Sequence, residues 1–326
     1  MAAGAPEVSV IMLTYNHEPW IAQSIESVLA QETPFEVELL VSEDCSTDGT
    51  RAIVLDYARR HPGRIRTFLS ERNLCSNEVF ARALRAARGR YVASLDGDDY
   101  WTSPHKLRKQ VEYLRAHPEC ALCHHDVAVV FDDAPDTTGD PRSFNELRPP
   151  DVAGLDRLLR DCFVAACSPL IRRDAIADLP AWYDEAELAD WALYIIAAQH
   201  GTLGYLDERL GVYRRHGGGL WTGREWTRKV ESLIRFNRLL REQLPERLPQ
   251  LRELGATYHL WLALAREEAG DAGGARSAAV TSLRESPFGE RARTGQAIRV
   301  LARLAAPGLY ARARRLRHGT RVEETT

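Results

Sequence analysis

Three carboxylates, Asp96, Asp98 and Asp99, fall within four positions of one another in the run Tyr91-Val-Ala-Ser-Leu-Asp-Gly-Asp-Asp-Tyr-Trp101. Acidic side chains held that close repel one another, so a positive partner is expected between them. Hard oxygen ligands favour a divalent ion such as Mg²⁺ or Mn²⁺, and an ion bound this way also holds a substrate phosphate. An Asp-Gly turn alone would account for part of the run without any ligand. The third carboxylate favours a metal site, as does the place of the cluster directly after a short apolar run. Open α/β sheets bind ligands beyond the carboxyl ends of their strands.

Other polar loops follow apolar runs in the same way. Thr14-Tyr15-Asn16-His17 follows Val8–Leu13, and Ser42-Glu43-Asp44-Cys45-Ser46-Thr47-Asp48-Gly49-Thr50 follows Val37–Val41. The tail of the second loop reads as a helix cap, which explains Ser46 to Asp48 without a ligand. Capping does not explain Glu43 and Asp44, which are placed to accept hydrogen bonds from a base or ribose. Further along, Leu188-Ala-Asp190-Trp191 opens a helix, and an Asp there reads first as a cap. Arg214-Arg215-His216 precedes three glycines that suggest a loop able to close over a bound molecule. His216 is a candidate metal ligand or diphosphate contact, with Arg214 or Arg215 neutralising phosphate; a surface or packing role is the alternative. Trp221 either stacks on a sugar or packs under the loop.

The elements that would position these residues are legible as alternating strands and helices. Val8–Leu13, Val37–Val41, Ile65–Leu69 and Tyr91–Leu95 read as strands. Ile21, Ile25, Val28 and Leu29 fall at helical spacing, a second helix is read to hold Ile53, Leu55 and Tyr57, and Val79 to Ala87 reads as a third helix. This βαβαβαβ order is that of a doubly wound α/β half-domain. Ala121 to Phe131 reads as a further strand, Val152 to Leu159 as a short helix and Phe163 to Ile171 as a strand. Tyr205-Leu206 and Leu210–Tyr213 read as two short strands. From Trp226 onward the pattern is helical, and Tyr258–Ala265 with Ala275–Leu283 resembles a single tetratricopeptide-type hairpin, for which an ordinary helical hairpin is the expectation.

Taken together, VSVIMLTYNHEPWIAQSIESVLAQ, LLVSEDCSTDGT, RGRYVASLDGDDYW, Asp190-Trp191-Ala-Leu193 and GYLDERLGVYRRHGGGLWTG resemble the family-2 inverting glycosyltransferases of the GT-A fold, over roughly residues 7 to 225. The resemblance implies a mixed doubly wound sheet, with a Rossmann-like nucleotide half and an acceptor half (1–225), and a C-terminal all-helical region (226–326). It implies sugar transfer from a nucleotide-diphosphate donor of UDP, dTDP or GDP type to a hydroxyl acceptor, in polysaccharide or glycoconjugate biosynthesis. By the same resemblance Thr14, Tyr15, Asn16, Glu43 and Asp44 hold the nucleotide, and Arg214 and His216 contact the donor. Asp96, Asp98 and Asp99 bind Mn²⁺ or Mg²⁺, with Asp96 also facing the donor, and Asp190 is the catalytic base. The family's usual Asp-Asp-Gly-Ser is here Glu43-Asp44-Cys45-Ser46, Ala189 stands where an acid usually precedes the base, and Val79-Phe80-Ala81 replaces an Ala-Arg-Asn triplet. Asn77 or Arg82 would have to stand in for that triplet.

The chain has 326 residues, room for one α/β domain of about two hundred residues and a smaller unit. A hydrophobic share of 44% supports a true core, and a formal net charge of −3 gives no reason to expect a nucleic-acid partner. No apolar run approaches a membrane span, and the N-terminus lacks a signal core, so a cytoplasmic protein is expected. Gln296 to Arg317, with leucines among many arginines, is expected to be a solvated face; peripheral contact with the inner face of a membrane is the alternative. Cys120-Ala-Leu-Cys123-His124-His125 superficially matches half a zinc site, yet no partner pair exists, so structural cysteines are expected. His124, His125 and Asp126 are candidates to face the acceptor cleft. Two rivals remain. A sugar-nucleotide nucleotidyltransferase would carry a Gly-rich basic loop where Thr14–Glu18 stands, and a catalytically degenerate binding module would not need the acidic cluster.

Overall fold

The computed structural model describes residues 5–131, 142–145, 147–219, 221, 223–287 and 289–306. Its centre is β1 (Val8–Thr14), whose alternate residues Val8, Val10 and Met12 are fully buried together with Ile11. A strand buried on both faces reads as a continuous apolar run because helices cover it on either side. It pairs in parallel with β2 (Val37–Glu43) and β4 (Tyr91–Asp96), and β2 pairs in parallel with β3 (Ile65–Leu69). The crossovers are α1 (Ile21–Leu29), α2 (Thr50–Arg60) and α3 (Glu78–Ala86); of the positions read at helical spacing in α1, Ile21, Ile25 and Val28 are buried and Leu29 is partly buried against the same core. Register places Thr14 beside Glu43 and Leu13 beside Asp96, so the three polar loops emerge at one edge.

Beyond β4 the sheet becomes mixed. The order runs β3-β2-β1-β4-β9-β6-β10-β5, with β5 (Tyr100–Trp101), β6 (Cys120–Phe131), β9 (Leu170–Arg172) and β10 (Thr202–Arg215). Two short strands, β7 (Arg142–Ser143) and β8 (Val152–Ala153), pair with β6 and β10. The two-residue strand β5 follows the acidic turn directly and pairs with Gly211 and Val212, which draws the end of β10 to the carboxylates. Helix α4 (Lys106–Ala116) then buries Lys106 completely, with its ammonium 3.9 Å from the centre of the Trp101 ring.

Three expectations for this half are corrected. Helix α5 covers only Leu155–Leu158, because Val152 and Ala153 pair with β10 and Gly154 is extended. The strand expected over Phe163 to Ile171 is confined to Leu170–Arg172; Phe163, Val164, Ala165 and Cys167 are apolar because they are buried in an unpaired segment. The two strands expected near Tyr205 and Leu210 are one, β10, with register shifts around the exposed Asp207-Glu208-Arg209. Helix α6 (Ala189–Ala198) buries every residue from Trp191 to Ala198, so it is a core helix without a polar stripe.

The chain divides into two compact units, residues 1–222 and 223–326. The second contains α7 (Trp226–Gln243), α8 (Leu248–Glu268), α9 (Ala272–Glu285) and α10 (Arg291–Ala305) around Val230, Leu262, Ala263, Ala278, Ala279 and Val300. Between α8 and α9 the chain turns at Gly270, with φ +80°, and the Asp271 carboxylate accepts the Gly274 N–H to cap α9. Of the basic segment from Gln296 to Arg317, the part beyond 306 lies outside the described residues. None of the described helices is long and apolar enough to cross a membrane.

Candidate active site

The strand ends bring Asp96, Asp98 and Asp99 together, with one carboxylate oxygen of each within 4.8 Å of the others. The turn that carries them is pinned from below. Gly97 N–H donates to the Leu13 carbonyl at 2.8 Å, and the Ser24 hydroxyl donates to the Gly97 carbonyl at 2.8 Å. Glycine is required at 97 because a β-carbon there would lie 2.6 Å from Thr14 Oγ1 and 2.8 Å from His17 Nδ1. Burial, and then repulsion from neighbouring carboxylates, raises Asp96 and Asp99 well above the ordinary range; for Asp96 the largest of those neighbours is Asp190. Burial also works to raise Asp98, but the hydrogen bond from His216 and the nearby His17 outweigh it and leave Asp98 lowered. One oxygen of Asp99 is buried without a close hydrogen bond among the described residues, the Cys167 thiol being a weak partner of that carboxyl. Clustered hard oxygens and a buried carboxylate oxygen so weakly partnered are the donor set that a divalent cation satisfies.

Asp190 stands in the first turn of α6, and it is not the cap. The N-cap position is Leu188, with no side-chain cap bond. The Asp190 carboxyl reaches solvent yet lies in a recess with protein on most sides, and that crowding pushes its pKa up to about 6. A carboxylate with a raised pKa is a better proton acceptor than an ordinary surface Asp.

On the other rim, His216 Nε2 lies 3.0 Å from Asp98 Oδ2, and His17 Nε2 lies 3.8 Å from the same oxygen. Arg214 donates its backbone N–H to Asp99 Oδ1 at 2.8 Å and its guanidinium to the Asp98 carbonyl at 2.7 Å and to Gln23 at 2.9 Å. The His216 ring rests 4.2 Å from the Trp20 ring. His17, Trp20 and Gln23 were not singled out by sequence reasoning. The only signal for His17 was its place one residue after Asn16 in the polar loop; Trp20 and Gln23 looked like helix residues.

The expected nucleotide residues occupy the edge formed by the ends of β1 and β2. Tyr15 is 37% exposed and open to a ligand, whereas Thr14 is buried with Oγ1 3.3 Å from His17 Nδ1. Asn16 takes a left-handed backbone, φ 56°, and its side-chain oxygen accepts the Thr47 N–H. Glu43 is fully buried, holding the Ser46 N–H and the Arg51 guanidinium, each at 2.5 Å. Asp44 accepts the backbone N–H groups of Leu74 (3.0 Å) and Cys75 (3.2 Å). These two carboxylates, read as base or ribose acceptors, therefore also tie the loops of the β2 side together.

Other candidates are taken up by structure. Asn77 donates to the Tyr183 and Ala186 carbonyls, which takes up its side-chain amide, and Arg82 uses Nε and one terminal nitrogen on Ser42 and the carbonyls of Glu43 and Phe68, which ties it to the ends of β2 and β3. His124 and His125, candidates for the acceptor cleft, are each 1% exposed and belong to the core. Asp126 accepts from Ser143 and pairs with Arg209. All six cysteines are free thiols, three of them buried.

An α/β sheet with an acidic cluster at a strand end and a carboxylate in electrostatic reach of it is an arrangement suited to a nucleotide-sugar transferase. The profile of glycosyl transferase family 2 matches residues 9–179, just over half of the chain, and the protein belongs to that family. It is 38% identical over 216 residues to the uncharacterized protein Rv1520 of Mycobacterium tuberculosis, covering 66% of this chain and 60% of that protein's length. It is 31% identical over 212 residues to the putative teichuronic acid biosynthesis glycosyltransferase TuaG of Bacillus subtilis, covering 64% of this chain and 79% of TuaG. Among solved structures, S. aureus TarS 1-349 in complex with UDP-GlcNAc aligns with a TM-score of 0.62 at 19% identity, over 91% of this chain and 90% of that one. The mannosyltransferase PcManGT of Pyrobaculum calidifontis, in complex with GDP-Man and Mn²⁺, aligns with a TM-score of 0.57 at 20% identity, over 96% and 85%. At these identities the structures speak for the fold.

Proposed function

We propose that the protein transfers a sugar, with inversion, from a nucleotide-diphosphate donor to a hydroxyl acceptor in the assembly of a polysaccharide or glycoconjugate. The observation that carries this reading is the acidic cluster at the end of β4 with Asp190 in electrostatic reach of Asp96. In this scheme Asp190 takes the acceptor hydroxyl proton as its oxygen bonds to the anomeric carbon. The bond from that carbon to the β-phosphate oxygen breaks, and the nucleoside diphosphate leaves. A divalent ion held by Asp96, Asp98 and Asp99 would supply charge neutralisation at the leaving diphosphate. Arg214 and His216 stand beside that position, and Tyr15 offers an open ring at the nucleotide edge.

A UDP- or GDP-linked donor and Mn²⁺ are the first choices, since the two structural neighbours were captured with UDP-GlcNAc and with GDP-Man and Mn²⁺. A nucleotidyltransferase is disfavoured because the loop after β1, Thr14 to Glu18, has neither Gly nor Lys. The intact acidic cluster weighs against a degenerate module. The test is a thermal-shift screen of UDP-, dTDP- and GDP-sugars with Mn²⁺, repeated in EDTA and with Asp98→Asn. One donor class should raise the melting temperature only with metal, and Asp98→Asn should abolish that rise without lowering the unliganded value. Full donor-dependent stabilisation in EDTA would sink the metal assignment.

A further inference from the structure

Beyond Arg215 the chain leaves the sheet and enters the glycine turn at 217–219, closed by the Gly219 N–H to the His216 carbonyl at 3.1 Å. The backbone here is no longer positioned by strand pairing, so the His216 imidazole depends on its side-chain contacts. Among them are Asp98 Oδ2 at 3.0 Å, the Trp20 ring with centres 4.2 Å apart and planes inclined by 40°, and the His17 ring edge-on at 6.4 Å. The indole is itself well anchored. Trp20 sits at the N-cap position of α1 with its backbone N–H donating to the His17 carbonyl at 2.9 Å, and its ring also meets the edge of the His17 ring, with centres 6.2 Å apart. Trp20 thus touches both histidines that flank Asp98, and the Arg214 guanidinium lies 5.9 Å from its ring centre.

The Asp98 and Trp20 contacts of His216 differ in one respect. A cation bound by the cluster competes for Asp98 Oδ2 and so weakens the His216–Asp98 bond. The tilted contact between the Trp20 and His216 rings engages no carboxylate oxygen that the cation would take, so it can be kept when the cluster is loaded. We propose that Trp20 is a positioning residue of the metal site, whose indole face holds His216 against the acidic cluster when Asp98 turns to the cation. The role rests on the metal-site reading above and adds a residue to it. It also gives a reason for a large aromatic ring at the start of α1, where no helix cap is made.

The test uses the full chain with Mn²⁺ alone, its affinity read from loss of the free-ion electron paramagnetic resonance signal. Trp20→Leu, which keeps apolar bulk but no ring face, should weaken Mn²⁺ binding by about tenfold, the lower range for partners that orient metal-site ligands. Trp20→Phe should restore most of that affinity. His216→Ala should show a similar loss, and Trp20→Leu combined with His216→Ala should be no worse than His216→Ala alone, as expected when one residue acts through the other. In the wild type, Mn²⁺ should also quench the part of the indole emission that Trp20→Phe removes. Wild-type Mn²⁺ affinity in Trp20→Leu or in His216→Ala, or losses that multiply in the double variant, would overturn the assignment. Asp98→Asn separates the two levels. If it binds Mn²⁺ normally, the metal site itself is wrong; if it loses Mn²⁺ while Trp20→Leu retains it, only the role of Trp20 falls.

Discussion

Cys45 stands where the family's Asp-Asp-Gly-Ser run carries glycine, and its backbone keeps a glycine-like conformation, with φ 64°. A β-carbon in the left-handed region costs about 1–2 kcal/mol, partly offset by the greater entropy glycine loses on folding. Cys45→Gly is therefore expected to raise stability by up to about 1 kcal/mol in urea denaturation, and a lower midpoint would show that the thiol contributes more than the strain removes. At Asp190 a different separation is needed. Asp190→Asn keeps the side chain's size and relieves repulsion on Asp96 but cannot accept a proton, so melting temperature and donor affinity should stay close to wild type. Turnover should fall on the order of a hundredfold or more, the signature of a lost transition-state interaction. Retention of most turnover would move the search for the base elsewhere in the cleft. At this scale the acidic residues were legible, because charge and strand-end position are visible in one dimension. Most of their partners were not: the Leu74 and Cys75 amides on Asp44 and His216 on Asp98 come from distant parts of the chain, and Arg51 reaches Glu43 from the next helix.

Among the elements, β1 to β4 and α1 to α3 could be read almost residue by residue, since apolar periodicity and polar breaks coincide there. Legibility failed between residues 152 and 172, where an unpaired segment is as apolar as a strand because it is equally buried. It failed again at β10, where a charged bulge imitates a turn between two strands. Helix α4 carries a consequence of the same burial. Lys106 lies fully inside with no hydrogen bond to its ammonium among the described residues, and burial pulls its pKa from 10.5 down to about 7. Between those values the unfolded chain binds a proton that the folded chain lacks. Stability should therefore rise as pH rises from about 7 toward 10.5, by up to about 1.4 kcal/mol per pH unit from this group. Below 7 the lysine is protonated in both states, and its cost is constant. Urea midpoints at pH 7 to 9 should show the slope in the wild type and a flatter one in Lys106→Met. An unchanged slope would assign it to other groups.

For the whole molecule, two units with separate cores make a prediction about heat. Scanning calorimetry should resolve more than one transition, and a nucleotide-sugar with Mn²⁺ should raise only the one belonging to residues 1–222, by mass action on the folded site. A single transition that moves as a whole with donor would contradict independent units. The passage from sheet to C-terminal helices was legible from the change of period near Trp226, whereas the pairing of β5 with β10 was not, since two residues carry no periodicity. That pairing also orders events at the ribosome. The Asp98–His216 contact joins positions 118 residues apart, so the acidic turn leaves the exit tunnel long before the strand that completes it. At roughly 5–20 residues per second, the nascent chain holds three mutually repelling carboxylates without Arg214 and His216 for roughly 6–24 s. During that interval His17, already synthesised, is the one of the two flanking histidines on hand, which leaves free cations a share of the neutralisation. Metal supply during synthesis would then affect the yield of folded protein as well as the rate of the finished enzyme.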